Sequence, residues 1–416
     1  ANTSKSASTR GWVVQNLGGG AHTDYDYMRV HDVYELQHMD ANRVNAAVTG
    51  SDKKIIGRYM LANDIAASET QDWDGGFQPI GSSDNSMGAF TGRFDGVGHT
   101  ITGLTIKPPT DSFGEYSRGM FAEIESAHIE NVSLKGASVS GTERVGGIVG
   151  YAEESAIRNV SFSGEVHGDN SKFTVGGIAG TLAQSTLENA YNEGTVEGNK
   201  TVGGIVGYVS NHSTVQNVRN AGKVLGNAEF LGGIAGTLYE STLENAYNEG
   251  TVEGKKIVGG IAGALDNSTL QNAWNTGAVT GNGNVGGIAG SVASSSVRNA
   301  VQTGDVEQRA GQTDSQVGGV VGLLNGDTVS HAVWKEGSVK DGSGALIRKG
   351  VGKTQGNFTV TDVKEHSLDD MKKAATYAGW GSDVATEGGK RTPWRIYDGK
   401  TMPLLKAFLK GKTLAN

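Results

Sequence analysis

Four side chains stand out for the chemistry they could do together. Tyr191, Arg219, Tyr247 and Trp274 each sit two places after an Asn in otherwise similar segments: Leu187-Glu-Asn-Ala-Tyr191, Val215-Gln-Asn-Val-Arg219, Leu243-Glu-Asn-Ala-Tyr247 and Leu270-Gln-Asn-Ala-Trp274. Aromatic faces with a guanidinium among them suit the C–H faces of sugars and the carboxylates of acidic sugars. If that offset faces solvent the four form a row; if it faces inward they stack as core. Hydrolysis or elimination on a sugar chain would need converging carboxylates. Glu188 and Glu244 come nearest, with Gln216 at the matching position between them. They belong to a duplicated block, however, and read as solvated face residues, while Asp72, Asp74 and Asp95 stand among turn residues. None of the nine His has the His-Glu-x-x-His spacing of a zinc protease, and there is no Cys. No catalytic group, metal or cofactor is therefore expected.

The elements that must position the row come from a repeat. Val-Gly-Gly-(Ile/Val)-(Val/Ala)-Gly recurs at Val145, Val175, Val202, Val258, Val285 and Val317, and Leu231 leads the same string once. An apolar-x-Asn-apolar motif follows each time, placing Asn131, Asn159, Asn189, Asn217, Asn245, Asn272 and Asn299 in register, with His331 in the last unit. A third apolar point follows, usually inside Gly-x-Val, at Val166, Val196, Val224, Val252, Val279 and Val306. Three β-rich stretches per unit of about 28 residues, with irregular turns and drifting unit length, fit a coil of a parallel β-helix better than paired hairpins. Equivalent side chains would then stack at the strand spacing of about 4.8 Å. The Asn set reads as an inward-turned ladder bonding from coil to coil, and His331 as its ladder-ending substitute.

The expected fold is all-β: a single right-handed parallel β-helix, its hand following from the crossover rule for parallel strands. Residues 1–54 form an N-terminal segment and cap, with a short helix suggested by Val33, Leu36 and Met39. Residues 55–340 form the helix of repeats. Residues 341–416 form a C-terminal cap over the last coil, with a helix starting at Ser367. Of six Asn-x-Ser/Thr sequons, Asn131 and Asn159 fall on the ladder and should be inaccessible, whereas Asn211 and Asn267 fall in corner loops and are the candidate glycosylation sites.

Composition agrees. Gly contributes 65 of 416 residues and Pro only 5, which suits frequent tight turns that leave backbone donors free for strand pairing. A net charge of −8 without a basic stripe argues against nucleic acid, and no apolar window is long enough to span a bilayer as a helix. The polar opening Ala1 to Arg10 shows no leader, so a mature chain or excised segment is expected. Absence of Cys fits a chain exported unfolded.

The string Val202-Gly-Gly-Ile-Val-Gly207, the entry segments Tyr59 to Ile65 and Phe94 to Ile101, and the closing Trp394 to Leu405 resemble the GLUG-repeat family. They also resemble the filamentous-haemagglutinin-like, high-molecular-weight adhesins of two-partner secretion. That resemblance implies a secreted or bacterial-cell-surface β-helix that binds a host-cell surface receptor or glycan, and an outer-membrane transporter for its parent protein. GLUG repeats also occur in wall-attached proteases that cleave immunoglobulin A, but the zinc motif such enzymes need is absent here. The expectation is a non-enzymatic adhesin segment. Its alternatives are a structural stalk whose binding lies elsewhere, or a polysaccharide-degrading β-helix.

Overall fold

In a computed structural model of the chain, residues 14–16, 26–39, 55–81, 88–108, 117–168, 174–309, 316–387 and 391–409 are described. The architecture is a nearly all-β parallel solenoid, and the chain divides into two compact units: residues 1–200 with 205–213, and 201–204 with 214–416.

In the first unit, strand Asp26–Val30 pairs in parallel with Arg58–Leu61, which pairs with Arg93–Asp95. The stack continues through His128–Gly141, Ala156–Gly168 and Thr186–Asn192. Parallel stacking thus begins earlier than the residue-55 boundary expected from the repeat. The N-terminal end carries an antiparallel strand, Val14–Asn16, and the short helix Val33–Gln37. Asp32 caps that helix by accepting from the Glu35 amide at 2.8 Å. Val33, Leu36 and Met39 are buried as their spacing predicts.

In the second unit the same coil recurs through Thr214–Asn220, Thr242–Asn248, Thr269–Asn275, Ala289–Gln302 and Val321–Lys335. It then continues into Val351–His366. Inward positions align as Leu243, Leu270, Val297 and Val329, and as Ala246, Ala273, Ala300 and Ala332, all fully buried.

The Gly-Gly pair has a specific cause. A Cβ at Gly233 would lie 2.1 Å from the Gly260 carbonyl oxygen and 2.4 Å from the Asn248 side-chain carbon; Gly260 stands likewise against Gly287 and Asn275. The second glycine leaves room for a buried amide. We expect Gly233→Ala to lower the stability of this unit by roughly 2–4 kcal/mol in urea denaturation, as for other buried overpacked positions. A loss within experimental error would show that the coil absorbs a Cβ here.

Candidate binding face

The seven ladder Asn adopt left-handed backbone geometry, with φ between 52° and 57°. Asn tolerates that region better than β-branched or bulky residues do, so each marks a sharp corner of its coil. Their side chains bond along the stack as predicted: Asn159 donates to Asn131 at 2.9 Å, Asn189 to Asn159 at 2.9 Å, Asn245 to Asn217 at 3.0 Å and Asn299 to Asn272 at 3.2 Å. The expectation that they turn inward is corrected. A left-handed corner throws the side chain outward, and Asn159 and Asn189 are exposed while Asn131, Asn217 and Asn245 are half-buried. Asn272 and Asn299 are buried by what covers them, not by the coil. The sequons at Asn131 and Asn159 are thus less hidden than expected, although both amides are held in the ladder. Asn211 and Asn267 are exposed at left-handed corners, as expected of accessible sites. Asp95 begins the outer ladder by accepting from Asn131 at 3.0 Å. His331 does not end it, because Asp362 takes the same left-handed position one coil on.

The buried polar ladder is a different one, which sequence reasoning missed. Asn192, Asn220, Asn248, Asn275 and Gln302 are all fully buried. In the second unit Asn220 donates to Asn248, Asn248 to Asn275 and Asn275 to Gln302, at 2.9, 2.8 and 2.8 Å. Each amide also donates to the carbonyl two residues on, as Asn248 does to Gly250 at 2.8 Å. The signal was present as Asn-x-Gly, or Gln-x-Gly in the last case, three places after each outer Asn. A third ladder, also unforeseen, runs through buried serines. Ser155 and Ser185 donate their amides to the Ser185 and Ser213 hydroxyls, and Ser241 and Ser268 to those of Ser268 and Ser295.

Outward from these ladders lies the proposed row. In the first unit Tyr191 is half-buried, stacked in register with Ser161, and its hydroxyl donates to Glu193 at 2.6 Å. In the second unit Arg219, Tyr247 and Trp274 occupy successive coils at one register position. The Arg219 guanidinium pairs with Glu249 at 2.6 Å and lies 5.6 Å from the Tyr247 ring centre. Tyr247 stacks on Trp274 with ring centres 4.6 Å apart and planes 14° from parallel. All four side chains are half-buried rather than part of the coil interior.

Not all of that face is open. The register continues as Val301 and Val333, and both are buried in a cluster with Met371, Tyr377, Trp380, Trp394, Ile396 and Leu405. Trp274, Tyr247 and Phe408 pack at its margin. Polar contacts fasten the cover. Trp394 donates to Asn272 at 3.1 Å, and Asp383 accepts from Arg298 at 2.9 Å and from Asn299 at 2.8 Å. The C-terminal segment thus lies along the side wall of its unit, where the expectation put it over the last coil. Val301 and Val333 explain the difference, because two apolar residues on an outer wall need covering. The helix expected at Ser367 is present only as 3₁₀ turns, Asp370–Lys372 and Ala374–Asp383. The Ser367 cap still forms, accepting from the Asp370 amide at 3.1 Å.

Burial pushes the Tyr247 phenol up to about 12, and burial also holds Tyr377 well above the ordinary tyrosine range. Since both are raised in the folded chain, their neutral forms stabilise it fully below about pH 10, the unfolded value. That contribution is lost as pH rises towards about 12. We expect the C-terminal segment to loosen in this alkaline window, read as tyrosinate absorbance appearing together with rising tryptophan exposure. Tyrosine ionising near pH 10 with the tryptophans still shielded would contradict it.

The positions considered for catalysis do not converge. Glu188 pairs with Arg158 at 3.8 Å in the first unit. In the second unit Glu244 stands between Gln216 and Gln271 in register. Asp95 shapes a turn by accepting from the Val97 amide at 2.7 Å, and Asp72 ends a 3₁₀ turn. Among the described residues no cluster of His, Asp and Glu has metal-binding geometry. A second outward aromatic pair went unnoticed in the sequence: Tyr151 and Tyr208 flank Thr181 at one register position, with the Arg144 guanidinium 4.9 Å from the Tyr151 ring centre. Its signal was Gly-Tyr directly after two of the Gly-Gly strings.

Comparison with known proteins finds sequence matches to parts of the chain. Residues 141–166 match the GLUG motif. A stretch of 117 residues, 27% of the chain, is 43% identical to Halomucin from Haloquadratum walsbyi and spans 1% of that protein. Another of 150 residues, 30% of the chain, is 29% identical to the zinc metalloprotease ZmpC of Streptococcus pneumoniae and spans 8% of it. The chain thus spans a small fraction of the length of the curated relatives it matches. Among solved structures, a candidate immunoglobulin A1 protease from Bacteroides ovatus aligns over 92% of this chain and 94% of its own, with a TM-score of 0.46 and 17% identity.

Proposed function

We propose that this chain is a non-enzymatic adhesive segment of a bacterial surface protein, presenting outward side chains to a host-cell receptor, glycans foremost. One observation supports it above the others: aromatic and guanidinium groups recur at one outward register position, on coils held by two buried ladders and an outer one. A rigid coil wall fixes such groups before a ligand arrives, so little ordering entropy opposes binding. The GLUG match and the likeness to Halomucin support secretion to the cell surface. An outer-membrane transporter for a longer parent protein belongs to the same reading.

Within the row, Tyr191 and Arg219 are the residues to test. Trp274 and Tyr247 also hold the C-terminal segment, so their removal would confuse binding with stability. Glycan-array binding of the chain should be selective, and Tyr191→Ala with Arg219→Ala should weaken it roughly tenfold, the loss of one or two such contacts. Selective binding unaffected by the pair would move the site, with Tyr151 and Tyr208 next; absence of binding would withdraw the glycan reading.

A stalk is the second reading. Side chains on the outer walls are largely engaged between coils, as in Arg158 with Glu188, Lys256 with Glu229 and Arg309 with Glu253. Part of the row is covered by the chain's own C-terminal segment. A wall that binds itself suits a spacer.

A further inference from the structure

We infer that Glu249 sets the ligand class of the row in the second unit, which takes uncharged glycans and turns away those ending in a carboxylate. This rests on the adhesive reading above and narrows it. Taken alone, a guanidinium beside aromatic rings suits the carboxylate of an acidic sugar. In the folded chain that guanidinium is already matched. Arg219 donates from both Nε and Nη2 to one Glu249 oxygen, Oε2, each at 2.6 Å. The other oxygen, Oε1, accepts from the Tyr247 hydroxyl at 3.1 Å. One carboxylate thus engages two members of the row, on successive coils.

The backbone holds Glu249 in place for this. Its amide donates to the Asn220 carbonyl at 2.8 Å, which sets it beside the coil of Arg219. The matching positions two places after Arg219 and Trp274 are Ala221 and Thr276, neither of which carries a charge. Arg219 and Glu249 are 32% and 30% exposed, so a ligand can reach both. The faces of the Tyr247 ring are taken, by Arg219 from one coil and by stacked Trp274 from the other. What the row offers there is a compensated ion pair with ring edges beside it. Sugar hydroxyls can hydrogen-bond to both partners without separating them. A ligand carboxylate would have to displace Glu249 from Arg219 and then stand next to a like charge. In the first unit the same Tyr-x-Glu spacing recurs. Tyr191 donates to Glu193 at 2.6 Å, so a carboxylate stands at that part of the row too.

The test arrays oligosaccharides in pairs, each with and without a terminal sialic acid, and reads them with the chain and with Glu249→Gln. Gln keeps the side-chain length and the acceptor for Tyr247 while removing the charge. The ratio within a pair is what is read, so a loss of folded protein does not alter it. The chain should bind the uncharged member roughly tenfold better, and Glu249→Gln should shift that preference roughly tenfold towards the acidic member. Adding Arg219→Ala to Glu249→Gln should abolish the shift, because the freed guanidinium is what takes the acid. A chain that favours the acidic member, or a preference unchanged by Glu249→Gln, would overturn the inference and leave the adhesive reading standing. Binding of no glycan by either protein would be the failure of the glycan reading itself, and would overturn the inference with it.

Discussion

Replacing Asn248 by Ala is expected to cost the second unit roughly 3–5 kcal/mol, more than any outward substitution on the same coil. The side chain is fully buried, accepts from Asn220, and donates to Asn275 and Gly250. Ala would strand an amide hydrogen on Asn220, an acceptor on Asn275 and a carbonyl at Gly250, all out of reach of water. Neighbours cannot close over the gap by sliding, because the Gly233 and Gly260 backbones are fixed by strand pairing above and below. Asn245→Gly, three residues earlier, is the matched control. It removes an outer-ladder bond to Asn217 while keeping the left-handed corner that Gly accepts readily. A loss of about 1 kcal/mol or less is expected there. Urea denaturation monitored by circular dichroism should separate the two plainly; equal losses would mean that the inner ladder is no more important than the outer.

Trp394→Ala has the second large effect, and it is local. The ring is fully buried among Trp380, Ile396, Leu405, Val301 and Val333, and its indole nitrogen donates to Asn272. Truncating a buried Trp costs about 3–5 kcal/mol. A short segment of 3₁₀ turns and two-residue strands has little else to hold it in place. Residues 367–409 should therefore come away while the coils persist, because each coil leans on its neighbours rather than on the cover. Limited proteolysis should cut within 367–409 many times faster than in the parent chain, and an apolar dye should report the uncovered Val301 and Val333. Retained protection of the segment would show that its docking rests on other contacts.

Much of this was legible in the residues. The period of about 28, the Val-Gly-Gly string and the apolar-x-Asn-apolar motif are sufficient for parallel coils, because stacking repeats a side-chain environment and so repeats its residue. The common register of Tyr191, Arg219, Tyr247 and Trp274 was legible for the same reason, but not the way it faces. What could not be read was direction and cover. Asn at a left-handed corner and Asn inside a coil are the same letter, and only backbone geometry tells Asn245 from Asn248. The Asn-x-Gly pattern marks the inner ladder once one sees that the amide needs a carbonyl two residues on. The position of the C-terminal segment was hidden because Val301 and Val333 match the row by offset but not by chemistry. Two valines on an outer wall were the hint that something covers them. Val351–His366 carries none of the repeat's strings, and its pairing with Val321–Lys335 is set by backbone continuity.

Fold and function meet in the claim that ladder-held coils present outward groups to a host surface, Tyr191 in the first unit and Arg219 in the second. Binding of the labelled chain to host cells, compared with the Tyr191→Ala, Arg219→Ala variant of unchanged denaturation midpoint, tests it most directly. The account predicts saturable binding by the chain and a roughly tenfold weaker interaction by the variant. Absence of saturable binding, or identical curves for the two proteins, would contradict it and leave the stalk as the better description.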